Sequence, residues 1–155
     1  MMHSDKYIQA LVDSQSFFEI HQENVLGVNM DVFKNRPRSL VDFIELSASH
    51  GEKPYLIYQD KVISFTQHLT LVKNAAYILQ SQHNVKPGDR VAIYAANCPE
   101  WITFFWDTVS IGAIACGLNG WWKGSEAIKA IDAADPNIIV CDQKRFDRIA
   151  DQVKH

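Results

Sequence analysis

The chain has 155 residues, of which 47% are hydrophobic, with four Trp, eight Phe and five Tyr. This length and composition exclude a disordered chain and predict an ordered globular fold with a sizeable core. The net charge is −3, and Lys and Arg are scattered along the chain. A nucleic-acid-binding surface usually needs clustered basic residues, so no nucleic-acid partner is expected.

Cysteine usage and hydropathy indicate the compartment. Cys98, Cys116 and Cys141 form no CxxC motif and have no suitably spaced His, so neither a disulfide framework nor a zinc site is expected. The first ten residues are polar, which excludes a signal peptide of the usual kind at that position. The longest nearly apolar stretch, residues 101–118, is interrupted by polar residues and glycine, so no transmembrane segment is expected. A cytoplasmic protein is therefore predicted.

The first third of the chain carries mixed patterns. Residues 5–16 predict a short amphipathic helix, whereas residues 17–33 are expected to be irregular, with possible short strands and a turn near Gly27. Residues 39–50 predict a second helix, with Ser39 as its N-cap.

The next segment predicts a hairpin and a long helix. Two β-prone runs in YLIYQDKVISF flank residues 59–61, which is typical of a β-hairpin. Residues 66–83 then repeat apolar side chains every three or four positions and predict an amphipathic helix. Asn84 fits a left-handed residue at the end of this helix.

The segment KPGDRVAIYAANCPEW combines a turn, a strand and the start of a helix. Pro87-Gly88 suits a type II turn, and residues 91–95 have the length and apolar character of a strand buried on both faces. Asn97 is predicted to cap a helix over residues 98–111, with Pro99 in its first turn. That helix is apolar nearly all round, so it should pack on several sides.

Two further strand–helix pairs follow. A strand at 114–118 precedes a helix at 125–134 that is predicted to be capped by Ser125, and a strand at 137–141 precedes a helix at 143–153. Such alternation requires right-handed crossovers and a parallel sheet. The predicted fold class is α/β: an N-terminal helix and β-hairpin followed by a βαβαβα parallel-sheet unit with helices on both faces.

Cys98 is the first candidate for a functional residue. A helix N-terminus lowers the pKa of a thiol, so a nucleophile at the start of this helix is conceivable. A nucleophilic thiol also needs an adjacent base, and no His or Asp lies at a telling position. A small apolar residue packed at a strand–helix joint is the favoured interpretation.

The remaining candidates surround the next loop. Gly124-Ser125 precedes a helix and could dock an anion, but neither GxGxxG nor GxxxxGK[ST] occurs, so a simple N-cap turn is favoured. Trp121-Trp122 follow a strand at the edge where open α/β sheets bind ligands, although packing against the protein is favoured over a pocket wall. The basic KRFDR segment is interpreted as a solvated helix face. The residues alone assign no catalytic, cofactor-binding or metal-binding position.

The order of four segments is more specific than any of them alone: ISFTQHL, VKNAAYIL, NVKPGDRVAIYAANCPEW and GAIACGLNGWWKGSEAIKAIDAADPNIIVCD. This order resembles the N-terminal region of adenylate-forming (AMP-binding) enzymes, most closely acyl-CoA synthetases of the long-chain fatty-acid–CoA ligase type, over residues 16–150. The sequence departs from the usual pattern at Ser64-Phe65, where Thr-Tyr is common, at His68, where Leu is typical, and at Gly117, where Pro is common.

The resemblance implies an organisation and a chemistry. Residues 1–38 would be an approach segment, and residues 39–155 would be the first part of a large N-terminal domain with an incomplete sheet. The parent would be an acid–thiol ligase of fatty acid metabolism. It would activate a fatty acid or other carboxylic acid with ATP and Mg²⁺ as an acyl-adenylate and then form a thioester with CoA.

The family's nucleotide-binding and catalytic motifs do not occur in these 155 residues. The chain is therefore expected to be an N-terminal fragment that has no cofactor of its own and no ligase activity. Its exposed sheet edge and apolar faces predict self-association. Two alternatives stay open: a piece of an amino-acid-activating adenylation domain, and a stand-alone α/β protein that binds an apolar ligand beside Trp121-Trp122.

Overall fold

The computed structural model describes residues 2–13 and 15–153. The chain consists of two compact units, and the boundary between them in the sequence follows Ser39. The first unit contains helix α1 (Met2–Val12) and an antiparallel hairpin of strands β1 (Ile20–Val25) and β2 (Val28–Phe33). The predicted helix at 5–16 is thus present, but it begins earlier and ends earlier than expected.

The β1–β2 hairpin is more regular than the sequence pattern indicated. Its two turn residues, Leu26 and Gly27, have φ values of 52° and 88°, as a type I′ turn requires. The side chain of Asn24 fastens the turn, because its Oδ1 accepts the Gly27 N–H at 3.0 Å and its Nδ2 donates to Asn29 Oδ1 at 2.9 Å. Leucine rarely takes a positive φ, so the dipeptide Leu-Gly does not predict a turn of this type from the sequence.

The segment after β2 is tied back to the hairpin by one carboxylate. Glu23 accepts hydrogen bonds from Arg38 Nη1 at 2.7 Å and from Arg36 Nη2 at 3.1 Å. These hydrogen bonds, led by the one from Arg38, hold the pKa of Glu23 below its ordinary value. The group is partly exposed to solvent, so the network orders the segment more than it stabilises the unit.

The second unit contains the α/β sheet, and the predicted α/β fold class is confirmed. A two-stranded antiparallel hairpin precedes a parallel three-stranded sheet. The strands of this sheet lie in the order β6 (Ile114–Gly117), β5 (Arg90–Tyr94) and β7 (Ile138–Cys141). None of the helices among the described residues is long and apolar enough to cross a bilayer. In chain order the elements are α2 (Leu40–Ser47), a 3₁₀ turn (Ala48–His50), β3 (Pro54–Tyr58), β4 (Lys61–Ser64), α3 (Phe65–Ser81), β5 (Arg90–Tyr94), α4 (Pro99–Ser110), β6 (Ile114–Gly117), α5 (Gly124–Ala134), β7 (Ile138–Cys141) and α6 (Gln143–Ile149).

A capping box begins helix α3, and a left-handed residue follows its end. Ser64 Oγ accepts the Gln67 N–H at 3.1 Å, and Gln67 Oε1 accepts the Ser64 N–H at 2.9 Å, so the two residues form a capping box. The sequence pattern missed this box because Ser64 also ends strand β4. At the other end Asn84 has the predicted left-handed conformation, with φ of 53°, and the Val85 N–H donates to the Leu79 carbonyl.

Strand β5 is the centre of the sheet, as its apolar sequence predicted. It follows the expected type II turn, in which Gly88 has a φ of 88° and the Asp89 N–H donates to the Lys86 carbonyl at 3.0 Å. Its residues 91–94 are fully buried because parallel strands cover both edges and helices cover both faces.

Each face of the sheet carries its own apolar core. The core under α3 and the end of α4 differs in composition from the core under α5 and α6. The first consists of Leu79, Val85, Val91 and Ala113, and the second of Ala92, Tyr94, Leu118, Ala127, Ile131 and Ile149.

Two predicted N-caps are wrong. Asn97 is exposed and precedes Cys98, which is the N-cap of α4 and makes no side-chain capping bond. The helix begins one residue late because Pro99 is well suited to the first helical position, where its missing N–H is not needed. Ser125 lies inside the first turn of α5, whose N-cap is Lys123. In α6 the helix ends at residue 149, four residues before the predicted end.

Helix α4 buries a polar stripe rather than its aromatic side chains. It packs on α2, α3 and the sheet, and its fully buried residues include Thr103, Asp107 and Thr108. Asp107 Oδ1 accepts a hydrogen bond from the Thr108 hydroxyl at 3.1 Å, whereas its Oδ2 has no hydrogen-bond partner in the part of the chain that the structure describes. Burial raises the pKa of Asp107 to about 7, so the carboxyl is largely protonated below neutral pH.

A second buried titratable group lies on α3. His68 continues the apolar stripe of the helix, and its ring contacts that of Tyr55 in a tilted arrangement at a centroid distance of 4.6 Å. Its Nε2 has no hydrogen-bond partner among the described residues, and burial lowers the pKa of the imidazole. The residue therefore occupies the core as a neutral aromatic side chain.

Asp107→Asn tests the buried carboxyl. The folded state retains a proton that the unfolded state releases between the ordinary Asp pKa of 3.8 and about 7. Wild-type stability should therefore fall, relative to the variant, as pH rises through this window, by on the order of 3 kcal/mol. Urea unfolding at pH 4.5 and 8 measures this difference, and exposed Asp132→Asn is the control. A pH-independent difference between wild type and Asp107→Asn would contradict the assignment.

Candidate functional site

A cleft of about 660 Å³ opens at the carboxyl edge of the parallel sheet. The loops after β5 and β6 and the start of α6 form its walls, which is the edge where open α/β sheets usually bind ligands. Most of the residues that line it are small (Ala or Gly), aromatic (Trp) or amide-bearing (Asn). The lining residues are Ala95, Ala96, Asn97, Trp101, Gly117, Leu118, Asn119, Gly120, Trp121, Trp122 and Arg145.

The Asp142 carboxylate joins the loop after β7 to the loop after β5. Its Oδ1 accepts the Arg145 N–H at 3.0 Å and so caps α6. Its Oδ2 accepts the Ala96 N–H and Arg145 Nη1, each at 3.1 Å. Partial burial opposes ionisation, but these hydrogen bonds and the guanidinium hold the pKa of Asp142 below its ordinary value. The carboxylate is therefore ionised at neutral pH.

The loop after β6 is held through its carbonyl groups. Arg145 Nε and Arg148 Nη1 donate to the Gly120 carbonyl at 3.0 Å and 3.1 Å. The Trp122 carbonyl accepts Arg148 Nη1 at 2.8 Å and the Tyr94 hydroxyl at 2.9 Å. Four hydrogen bonds from three donor groups to two carbonyl oxygens fix the path of this loop.

The interpretation of KRFDR as a solvated helix face is therefore wrong for its two arginines, although Lys144 and Asp147 are exposed. Arg145 is only 8% exposed and Arg148 is half-buried, because both side chains lie across the loop after β6. The two arginines are three positions apart, which places them on one side of α6. A sequence shows this spacing but not the carbonyl groups that the arginines meet, so their role was missed.

Gly120 lies where only glycine fits. A Cβ at this position would be 2.5 Å from the Ala95 carbonyl oxygen, which belongs to the loop after β5. By contrast, a Cβ at Gly117 would meet Trp101 Cζ2 at 3.3 Å, a distance that a small ring movement can relieve. The two loops are thus in direct backbone contact at Gly120.

The proposed anion site at Gly124-Ser125 is disfavoured. The Lys123 N–H at this helix start already donates to Glu126 Oε2 at 2.7 Å, and Gly124 packs against the Arg148 carbonyl. Carboxylate and carbonyl oxygens at the site would repel an anion. The simple N-cap turn that the sequence favoured is the arrangement found, although its capping residue differs.

The Trp121-Trp122 pair divides between the two interpretations. Trp122 packs against the core under α5 and α6, as the packing interpretation expected. Trp121 is 86% exposed and lines the cleft. Its backbone N–H donates to Asn119 Oδ1 at 2.9 Å. One indole therefore anchors the loop, and the other forms part of the rim.

Cys98 lines a second, more apolar cleft of about 530 Å³ between β3 and the start of α4. Burial raises the pKa of its thiol, which is the opposite of what an activated nucleophile needs. The packed-residue interpretation is therefore favoured. The two clefts share a wall formed by Asn97 and Trp101.

The described residues, 2–13 and 15–153, contain no cluster of metal ligands: no three His, Cys, Asp or Glu side chains there are grouped so that they could hold an ion. That the chain contributes no catalytic, cofactor-binding or metal-binding residue stays a prediction.

The parallel sheet, with a cleft at its carboxyl edge, defines an α/β protein. The profile of the AMP-binding enzyme family matches residues 43–155, and the chain belongs to this family. Acetyl-coenzyme A synthetase 2 of Zygosaccharomyces bailii is 27% identical over 91% of this chain and 24% of its own length. The Saccharomyces cerevisiae enzyme of the same name is 35% identical over 61% of this chain and 15% of its own length.

A solved structure shows the same fold. The crystal structure of coronafacic acid ligase from Pectobacterium brasiliense matches with a TM-score of 0.67 and 26% identity, over 71% of this chain and 22% of that chain. The present chain thus spans less than a quarter of the length of each of these relatives.

Gly120→Ala tests the contact between the two loops. The added methyl group would overlap the Ala95 carbonyl, so we expect destabilisation of about 1–3 kcal/mol, as is typical of overpacking. Gly117→Ala is the matched control and should destabilise the fold less, because its added Cβ would contact only the movable indole of Trp101. Urea unfolding compares the two variants. Equal stability of Gly120→Ala and wild type would contradict the packing described here.

Proposed function

We propose that this chain is the N-terminal part of an ATP-dependent acyl-CoA synthetase. The observation that carries the proposal is the match of residues 43–155 to the AMP-binding family, together with relatives named as CoA synthetases. In the proposed reaction a carboxylate attacks the α-phosphate of ATP and pyrophosphate leaves. The thiol of CoA then attacks the acyl-adenylate, and AMP leaves.

The chain's own residues do not fit ATP and Mg²⁺. A triphosphate needs several cationic or N–H donors, and a hard cation needs carboxylate oxygens. The cleft offers one guanidinium, that of Arg145, and it already donates to Asp142 and Gly120. We therefore assign ATP and Mg²⁺ to other parts of the parent enzyme and give this chain the role of a scaffold with a preformed cleft.

The substrate is proposed to be a fatty acid or another carboxylic acid, and the compartment to be the cytoplasm. The acids that the relatives' names indicate differ in size, from acetate to coronafacic acid. An amino-acid-activating domain and a stand-alone binding protein are the weaker alternatives. Relatives named as CoA synthetases favour the acyl-CoA synthetase over both.

The 155-residue chain alone should be inactive, since its cleft lacks the groups that would hold the triphosphate. Incubation with ATP, Mg²⁺, CoA and a panel of carboxylic acids should give no pyrophosphate above background. The proposed full-length parent enzyme should release pyrophosphate and form a thioester with at least one acid. Pyrophosphate release by the short chain would contradict the scaffold role, and an inactive parent would contradict the proposed reaction.

The isolated chain should also self-associate. Strands β6 and β7 each have one edge with no neighbouring strand in the described sheet, and Ile114 on β6 is 51% exposed. Unpaired edges offer backbone groups to another chain. Light scattering should show a mass that rises with concentration, and Ile114→Lys should reduce the rise more than Leu71→Lys on the exposed face of α3. A monomer at all concentrations would contradict this proposal.

A further inference from the structure

We propose that Arg145 is a positioning residue for the cleft: it holds the three loops at the carboxyl edge of the sheet in one arrangement and thereby sets the place of Trp121. The inference rests on the proposed function only in taking this cleft to face a ligand. Its evidence is the geometry of the loops themselves.

The guanidinium bridges two loops that have no sequence proximity. Arg145 Nε donates to the Gly120 carbonyl after β6, and Arg145 Nη1 donates to Asp142 Oδ2 after β7. The same Oδ2 accepts the Ala96 N–H after β5. One side chain therefore reaches all three loops, two of them directly and the third through Asp142.

Arginine is suited to this role for a geometric reason. Its planar guanidinium presents donors in fixed directions, so it can satisfy a carboxylate and a carbonyl at the same time. A lysine at this position has one flexible ammonium and would retain the charge but not the fixed fork. Arg145 is 8% exposed, so its loss would also leave Asp142 and the Gly120 carbonyl short of a partner in a poorly solvated place.

Trp121 has few contacts of its own beyond its backbone N–H, which donates to Asn119 Oδ1 at 2.9 Å. Its side chain is 86% exposed and therefore has little packing to fix it. Its neighbours are fixed instead, since Arg145 and Arg148 hold the Gly120 carbonyl and Arg148 and Tyr94 hold the Trp122 carbonyl. A loop ordered in advance spares a ligand the entropy cost of ordering it.

The fold of the unit should survive without this bridge. The two apolar cores lie on the faces of the sheet and do not include Arg145. A loss of Arg145 should therefore loosen the rim of the cleft before it unfolds the unit. This difference separates a positioning role from a merely structural one.

The test is nuclear magnetic resonance of the full 155-residue chain carrying ¹⁵N-labelled indole groups. The chain has four Trp, at 101, 106, 121 and 122, and single Trp→Phe variants assign their signals. In Arg145→Met we expect the Trp121 and Trp122 signals to shift or broaden while the Trp106 signal on α4 stays unchanged. Arg145→Lys should show a smaller change. Lys144→Met, an exposed neighbour on the same helix, should match wild type.

Two results would overturn the inference. One is an Arg145→Met spectrum with unchanged Trp121 and Trp122 signals, and the other is equal change at all four indoles, which would indicate a general loss of packing. If Arg145→Met does not fold, Asp142→Asn replaces it, because it keeps the size of the side chain and removes the charge. Neither result bears on ligase activity, so failure of this inference and failure of the proposed function are distinguishable.

Discussion

One carboxylate at the start of α6 organises the carboxyl edge of the sheet. A parallel sheet places all its strand-to-helix loops at that edge, and each loop has backbone groups that need partners. Asp142 satisfies the Ala96 N–H in one loop and the N-terminus of its own helix, and it orients Arg145 toward the Gly120 carbonyl. Hydrogen bonds between backbone groups and buried or partly buried ionic side chains thus help to shape the cleft.

This arrangement explains the residue types of the loop after β6. Gly120 must lack a side chain because the loop lies against the Ala95 carbonyl. Trp122 is anchored in the core, whereas Trp121 stays at the rim. A loop that is fixed through its carbonyl groups can present an exposed aromatic side chain without packing it. The unit therefore has a cleft whose shape is fixed by its own backbone hydrogen bonds.

Much of the second unit is predictable from local patterns. The apolar run of β5, the Pro87-Gly88 turn and the strand–helix alternation each depend on residues close in sequence, so the α/β class and nearly every element follow from them. The bridge from Arg145 to Gly120 does not, because it joins residues 25 apart. A sequence shows two basic residues on one helix but not the carbonyl groups to which they donate, so the pair is interpreted as solvent-exposed.

The errors of detail have equally physical causes. Pro99 moves the start of α4 away from the residue that Asn97 would have capped, and the Glu126 carboxylate takes the Lys123 N–H at the start of α5. The β1–β2 hairpin turns at Leu26, a residue that sequence patterns do not associate with positive φ. In each case one specific neighbour outweighs an average preference.

The account's central claim is that the three loops form one ordered rim through Asp142. Amide hydrogen exchange at Ala96 tests it most directly, because this N–H has its partner in the Asp142 side chain and not in the sheet ladder. The account predicts protection of the Ala96 amide close to that of the β5 amides, and loss of that protection in Asp142→Ala. Exchange of the wild-type Ala96 amide as fast as that of exposed Asn97 would contradict it.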